Sequence, residues 1–263
     1  MSKKSIIDSN TEYNNWFDST YYHILYDNRD YNEAKEFVKT ILNHLNLKKN
    51  LKILDAACGK GRHSIEIEKF GYKVTGIDLS KNSISEAKKH ENKNLNFLIH
   101  DISIPMNEKF DAVFNLFTSF GYNDKEKDLD VLNAIEMNLK NDGVGIIDFF
   151  NINKVRNELV ESEVIVKKDI KFKIKRRVNK NFVSKNITFE DNHIKYSFNE
   201  NVNALSLNEF KEYFSKTNLE IQEVFGDYNL NNFNSSSSQR LIILFKKKSQ
   251  PNKWLGFEEG GDI

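Results

Sequence analysis

The stretch Ile53-Leu54-Asp55-Ala56-Ala57-Cys58-Gly59-Lys60-Gly61-Arg62-His63-Ser64 decides the fold of this 263-residue chain. Its first half belongs to an apolar run over residues 51–57, which is typical of a buried parallel strand. The residues that follow, 62–70, have the periodicity of a helix. Gly59 and Gly61 give the connection a backbone freedom, and a close approach to a ligand, that a Cβ would obstruct. The stretch therefore predicts a strand, a tight glycine turn and a helix.

The same alternation of strand and helix continues on both sides of this stretch. Further strands are predicted over 72–77, 95–100, 110–116, 143–150, 219–225 and 240–246. Helices are predicted over 32–46, 80–90, 124–139 and 207–217. Strand–helix repetition at this spacing predicts an α/β fold with a doubly wound, mostly parallel sheet.

The pattern changes after Asn151. Short runs within 164–198 alternate apolar and polar residues, with Asn- and Asp-containing turns between them, and this predicts an inserted small antiparallel β-sheet. Before the first strand, aromatic residues recur at helical spacing over 16–26. The predicted units are an N-terminal helical segment 1–50, an α/β core 51–159 and 204–248, the inserted sheet 160–203, and a tail 249–263.

Composition limits the classes of partner and site. Lys and Arg total 39 against 38 Asp and Glu, so a net charge of +1 argues against nucleic acid and anionic membranes as partners. The single cysteine, Cys58, excludes a disulfide framework or a multi-cysteine zinc site, and no metal is expected. No apolar run approaches the length of a membrane span, and the N-terminus lacks the apolar core of a signal peptide. A cytoplasmic protein is therefore expected.

The ligand of the glycine turn is constrained by two acids. Asp78 ends the second strand of the unit, where a carboxylate can accept both hydroxyls of a ribose. A dinucleotide site usually has a third glycine where this chain has Ser64. Asp55 would also place a negative charge close to a diphosphate, whereas it would favour a cationic ligand. S-adenosylmethionine, with its sulfonium and ammonium groups, suits this site better than NAD, although a dinucleotide oxidoreductase stays open as an alternative.

Four ordered motifs over residues 51–150 resemble those of the class I S-adenosylmethionine-dependent methyltransferases. They are Leu54 to Ser64, Val-Thr-Gly-Ile-Asp-Leu-Ser at 74–80, His-Asp-Ile-Ser at 100–103 and Phe-Asp-Ala-Val-Phe-Asn-Leu-Phe at 110–117. The resemblance implies a seven-stranded sheet, S-adenosylmethionine as the cofactor, and methyl transfer to N or O of a small-molecule acceptor.

The resemblance also implies roles for individual residues. The methionine end of the cofactor is assigned to Asp55, Ala57, Gly59, Gly61, Asn115 and Leu116. The ribose is assigned to Asp78, and the adenine to Leu79, Asp101 and Ile102. In the similar glycine and amino-sugar N-methyltransferases an N-terminal helix covers the cofactor, and this assigns the carboxylate of the methionine part to Arg29 with Tyr21 nearby.

The sequence constrains the residues that bind the methyl acceptor less than those that bind the cofactor, and no catalytic base can be named. The candidate substrate residues are Tyr22, His63, Phe117, Tyr122 and Arg177, and the inserted sheet is expected to act as a lid. The basic stretch 167–177 is either a solvated strand face or a site for an anionic acceptor or RNA. An RNA-directed methyltransferase and a cofactor-binding protein without turnover therefore stay open, as do the monomeric and homodimeric states.

Overall fold

The computed structural model describes residues 6–8, 16–27 and 31–248. Its helices and strands, in chain order, are β1 (Ile6–Asp8), α1 (Thr20–Leu25), α2 (Tyr31–Leu45), β2 (Lys52–Ala56), α3 (Arg62–Lys69), β3 (Lys73–Asp78), α4 (Lys81–Ala87), β4 (Leu95–Ile99), β5 (Phe110–Asn115), α5 (Lys125–Asn138), β6 (Leu139–Phe150), α6 (Ile152–Glu158), β7 (Ser162–Lys167), β8 (Ile170–Val178), β9 (Phe182–Asp191), β10 (Ile194–Asn203), α7 (Leu207–Ser215), β11 (Leu219–Phe225) and β12 (Arg240–Lys247).

Seven of these strands form one mostly parallel sheet, which confirms the predicted fold class. The strand order is β11-β12-β6-β5-β2-β3-β4, and only β12 runs against its neighbours. Its strands are nearly continuous apolar runs because helices cover both faces. One face packs on α2, α3 and α4 through residues such as Ile41 and Phe97, and the other on α5 and α7 through Phe149 and Phe210.

The order of the strands fixes where a ligand can bind. β2 lies between β3 and β5, so the chain winds outward in opposite directions from the middle of the sheet. In open α/β sheets, ligands bind outside the carboxyl ends of the strands at such a switch point. The ends of β2, β3, β4 and β5 carry most of the predicted cofactor residues.

The four strands between α6 and α7, together with β1, form a second sheet of order β1-β10-β9-β8-β7. β7 to β10 are antiparallel, as the alternating pattern predicts. The added strand β1 pairs parallel with β10 and was not predicted. Three residues are too few to show an alternating pattern, so this strand depends on its pairing with β10 rather than on local sequence.

The aromatic segment before α2 packs on the inner face of this second sheet. Trp16 is 1% exposed and donates its ring N–H to Glu200 on β10. Leu25 joins it against Phe172 and Phe189. The segment thus links the second sheet to the carboxyl edge of the first. Among the helices of the described segments, none combines the length and apolar character that crossing a membrane requires.

Candidate functional site

A cavity of about 1520 Å³ opens at the carboxyl ends of β2, β3 and β5. The glycine turn after β2 and the start of α4 form one wall, and the segment around α1 covers the opposite side. The loop after β5 and the turn between β7 and β8 complete its rim. The carboxyl ends of the first sheet and the β7–β8 turn of the second sheet therefore border one cavity.

The glycine turn presents backbone to this cavity. Gly59 has φ +55°, and a Cβ built on it would meet no atom within 4 Å, so its α-carbon borders open space. Gly61 has φ +78°, and a Cβ there would come within 2.5 Å of the Phe97 ring. The two glycines thus serve different needs: Gly59 leaves room for a ligand, and Gly61 lets α3 pack on the core.

Asp78 joins the end of β3 to the glycine turn. One oxygen accepts from the Gly59 N–H and the other from the Ser80 N–H, each at 2.8 Å. Burial raises the pKa of Asp78, although the two backbone hydrogen bonds oppose the shift. The Ser80 hydroxyl donates to Asp18 at 2.7 Å, so the segment before α1 also contacts the end of β3. Asp78 therefore lies on the cavity wall with its carboxylate fixed in orientation.

Asp55 lies behind the turn and is 1% exposed. The Ser64 hydroxyl donates to it from the first turn of α3. Burial raises the pKa of Asp55 to about 6, and the nearby charge of Asp78 adds to the shift. Two carboxylates held this close in a buried place favour a cationic ligand over an anionic one.

The ends of β3 and β4 offer an apolar surface beside an acid. Leu79 is 41% exposed and lines the cavity together with Asp101 and Ile102. Partial burial of Asp101 is outweighed by hydrogen bonds from Ser103 and the charge of Lys127, which lower the pKa of that carboxyl. Asp101 is thus an ionised acceptor next to an exposed leucine.

The loop after β5 has unusual backbone geometry. Phe117 and Thr118 both have φ +59°, a conformation that non-glycine residues adopt at a cost of about 1–3 kcal/mol. Asp148 on β6 holds both residues. Its side chain accepts from the Phe117 N–H at 2.8 Å, and its backbone carbonyl accepts from the Thr118 N–H at 2.9 Å.

Asn115, the last residue of β5, is fully buried. Its Nδ2 donates to the Ala56 carbonyl, but its Oδ1 accepts no hydrogen bond.

Arg240 completes this support and was missed by the sequence analysis. Its Nε donates to Asp148 at 2.8 Å, its terminal nitrogen donates to the Thr118 hydroxyl at 2.9 Å, and it borders the cavity. The sequence contained one signal for such a residue: Asp148 stands within the apolar run 144–150, and a fully buried carboxylate requires a partner. Nothing in the spacing pointed to a residue 92 positions away.

Apart from Tyr21, the predicted cofactor residues fall into three groups. Those that line the cavity are Ala57, Gly59, Asp78, Leu79, Asp101, Ile102 and Leu116. Asp55, Gly61 and Asn115 support the turn and the β5 end from behind. Arg29 lies outside the described residues, and its assignment stays a prediction.

Tyr21 requires a correction. Its hydroxyl donates to Asp191 at 2.9 Å, and its ring packs on Phe189 and Tyr196 of the second sheet. Successive helix residues point in different directions, so it is the neighbouring Tyr22 that lines the cavity. This placement does not support Tyr21 as a cofactor ligand.

The candidate substrate residues differ in whether they line the cavity. Tyr22, His63, Phe117 and Tyr122 line the cavity. Arg177 does not line it and lies on the exposed face of β8, because inward and outward positions alternate along that strand. The cavity is also bordered by residues that the sequence analysis did not select, among them Phe17, Asp18, Tyr26, Arg62 and Lys168.

Comparisons with known proteins bear on this site. Residues 47–202, more than half of the chain, match the family described as "Methyltransferase domain". A glycine/sarcosine N-methyltransferase from Aphanothece halophytica is 30% identical over 145 residues, which cover 51% of this chain and 52% of that protein. The chain spans between about a quarter and about half of the length of the curated relatives that it matches.

Solved structures with low sequence identity share the fold. An S-adenosylmethionine-dependent methyltransferase from Clostridium acetobutylicum is 21% identical with a TM-score of 0.72, covering 87% of this chain and 96% of that one. The sugar N-methyltransferase KedS8 from a Streptoalloteichus species is 14% identical with a TM-score of 0.69, covering 93% and 99%.

Proposed function

Since this chain belongs to the methyltransferase domain family, we propose that it is an S-adenosylmethionine-dependent methyltransferase acting on N or O of a small molecule. The observation that carries the proposal is the pair of buried carboxylates, Asp55 and Asp78, around the glycine turn. Both have raised pKa values because they are buried, and a positively charged ligand beside them would offset that cost. A diphosphate would increase it.

The residues present fit this cofactor. Asp78 would hold the ribose hydroxyls, and the exposed Leu79 side chain with Ile102 would pack on the adenine. Gly59 leaves open space for the methionine part, near the charge of Asp55. When bound, S-adenosylmethionine supplies an activated methyl group on a positively charged sulfur. The protein's own task is then to align an acceptor and to exclude water, and such positioning can supply up to roughly 7–11 kcal/mol.

The acceptor side is an aromatic wall. Tyr22, Phe117 and Tyr122 line the cavity, and Phe17 stacks edge-on against both Tyr22 and Tyr122. These rings would shield the reacting atoms from water. His63 and Tyr122 are the candidates for removing a proton from an amine or hydroxyl acceptor, because both reach the cavity. The named relatives, one acting on glycine and sarcosine and one on sugars, favour a small acceptor for this chain as well.

The first test is calorimetric titration with S-adenosylhomocysteine, the demethylated cofactor. We expect the wild-type chain to bind it, and Asp78→Ala to weaken binding by about 1–3 kcal/mol because the ribose loses its acceptor. Asp111→Ala is the matched control, since Asp111 accepts from Lys52 and Lys140 away from the cavity. Folded wild-type protein that takes up neither cofactor form would refute the proposal.

The second test is release of S-adenosylhomocysteine in the presence of candidate acceptors. Primary and secondary amines, including glycine, sarcosine and amino sugars, should be offered together with hydroxyl acceptors. We expect turnover with at least one amine or hydroxyl compound. Tight cofactor binding without release on any acceptor would favour a binding protein that has no turnover.

A further inference from the structure

The outer face of the second sheet, which turns away from α1, carries a row of positive charge. Inward residues of β8 are the buried Ile170, Phe172 and Ile174, so the outward positions are Lys171, Lys173, Lys175 and Arg177. All four are basic. Residues two apart on a strand are about 6.7 Å apart, so the cations form an evenly spaced line along one strand.

These four side chains are not neutralised by carboxylates. None makes an ion pair within the described part of the chain, whereas the inward Arg176 pairs with Glu163 and the inward Lys185 with Glu200. Over the described strands β7 to β10, the outer face carries five basic side chains, namely the four of β8 and Lys195 of β10. It carries one carboxylate, Glu190. The net charge of +1 for the whole chain therefore conceals a strongly basic face.

The neighbouring rows suit a nucleic acid. On β9 the outward residues beside the cations are Ser184, Asn186 and Thr188. Asn186 already donates its amide to Asn199 on β10, and Thr188 donates its hydroxyl to the Lys173 carbonyl. Ser184 is the residue of this row whose hydroxyl can donate to phosphate or sugar oxygens. The same row ends in Phe182, an aromatic side chain that is 41% exposed. Arg177 pairs with Ser184 in the ladder, so Phe182 lies diagonal to Arg177. An exposed ring beside a guanidinium is a platform on which a base can stack.

The row of cations also leads to the cavity. Lys168, in the turn between β7 and β8, borders the cavity, and the basic positions of β8 begin three residues later at Lys171. A polyanion lying along β8 would thus pass close to the cavity mouth.

We propose that the outer face of the second sheet binds single-stranded RNA, with its phosphates on the row from Lys171 to Arg177 and a base on Phe182. An acidic protein segment would use the charges but not the exposed ring. A membrane surface would use the exposed Val164 and Val166 on the same face but would have to cover the Ser and Asn row. The proposal goes beyond the methyltransferase function and does not depend on it.

The test is fluorescence anisotropy of a labelled single-stranded oligouridine RNA of about 20 nucleotides, long enough to span the face. The full chain should bind, and its affinity should fall steeply between about 50 and 200 mM salt. The variant Lys171→Gln/Lys173→Gln/Lys175→Gln should weaken binding at least about tenfold and reduce the salt slope by about 2. Phe182→Ala should weaken binding about 5- to 150-fold and leave the salt slope unchanged.

The matched control is Lys48→Gln/Lys88→Gln/Lys216→Gln, which removes the same charge from exposed lysines elsewhere. It should retain RNA binding. All variants should bind S-adenosylhomocysteine with the wild-type affinity. Absence of wild-type RNA binding at low salt would overturn the proposal, and so would an equal loss in the control. Equal affinity for polyglutamate or for phosphatidylserine vesicles would overturn it in favour of a general anion surface.

Discussion

At the scale of single residues, the ion pair between Asp148 and Arg240 supports the loop that borders the cavity. Asp148 is fully buried and Arg240 is only 19% exposed, and together they hold Phe117 and Thr118 in the left-handed conformation. Burial would lower the pKa of Arg240, but the charge of Asp148 raises it, so the guanidinium stays protonated. We expect Asp148→Ala to lower the free energy of unfolding by about 3–5 kcal/mol, because it leaves a buried charge unpaired.

Urea unfolding measures this cost, and a second ion pair provides the control. Glu163 and Arg176 are partly exposed, at 35% and 24%, so solvent screens their attraction. Glu163→Ala should therefore lower the free energy of unfolding by less than about 1 kcal/mol. Equal effects of the two substitutions would show that burial does not set the strength of the Asp148–Arg240 pair.

Individual residues were predictable from the sequence where a local motif placed them. Asp78 ends one strand of the parallel sheet and Asp101 follows another, and the carboxyl ends of such strands meet at one edge. Arg240 was not predictable in this way, and although Tyr22 was a candidate, the sequence could not separate it from Tyr21. The orientation of Tyr22 depends on how α1 packs on the second sheet, and the contact of Arg240 with Asp148 depends on strand pairing over 92 positions.

At the scale of elements, the turn between β2 and α3 should separate ligand binding from stability. Gly59→Ala adds a Cβ in open space at positive φ, so it should lower stability by only about 1 kcal/mol. The same Cβ would project where the cofactor is proposed to lie, and S-adenosylhomocysteine affinity should fall about tenfold or more. Gly61→Ala brings a Cβ against Phe97 and should cost roughly 2–4 kcal/mol of stability.

Thermal or urea unfolding and calorimetric titration of both variants check this pair of expectations. Each glycine variant serves as the control for the other, since both add one methyl group at positive φ. The assignment of Gly59 to the ligand side fails if Gly59→Ala binds S-adenosylhomocysteine like the wild-type protein.

Whole elements were predictable where they are long and periodic. The strands and helices of the parallel sheet were located to within a few residues because their apolar runs are buried on both faces. β6 begins at Leu139 rather than at 143, since Leu139 pairs with Phe110 before a bulge that only the folded sheet shows. The short β1 escaped prediction because its conformation is set by β10 and not by its own three residues.

At the scale of the whole molecule, two buried acids of the α/β core, Asp55 and Asp128, make stability depend on pH. The pKa of Asp55 is raised from 3.8 to about 6, chiefly by burial, and that of Asp128 is raised to about 6 for the same reason. The folded state therefore binds these protons more tightly than the unfolded state. Their contribution to stability is complete below about pH 4 and is lost as the pH rises through about 6.

Asp55→Asn isolates one of these groups, because an amide keeps an oxygen that can accept from Ser64 but cannot ionise. Other carboxyls, such as Asp101 and Asp111, have lowered pKa values and act in the opposite direction, so the informative quantity is the difference between wild type and variant. Measured by urea unfolding, the stability of wild type relative to Asp55→Asn should fall by about 2 kcal/mol from about pH 4 to pH 7. A difference that stays constant would mean that burial does not raise the pKa of Asp55, and the electrostatic argument for a cationic cofactor would then lose its basis.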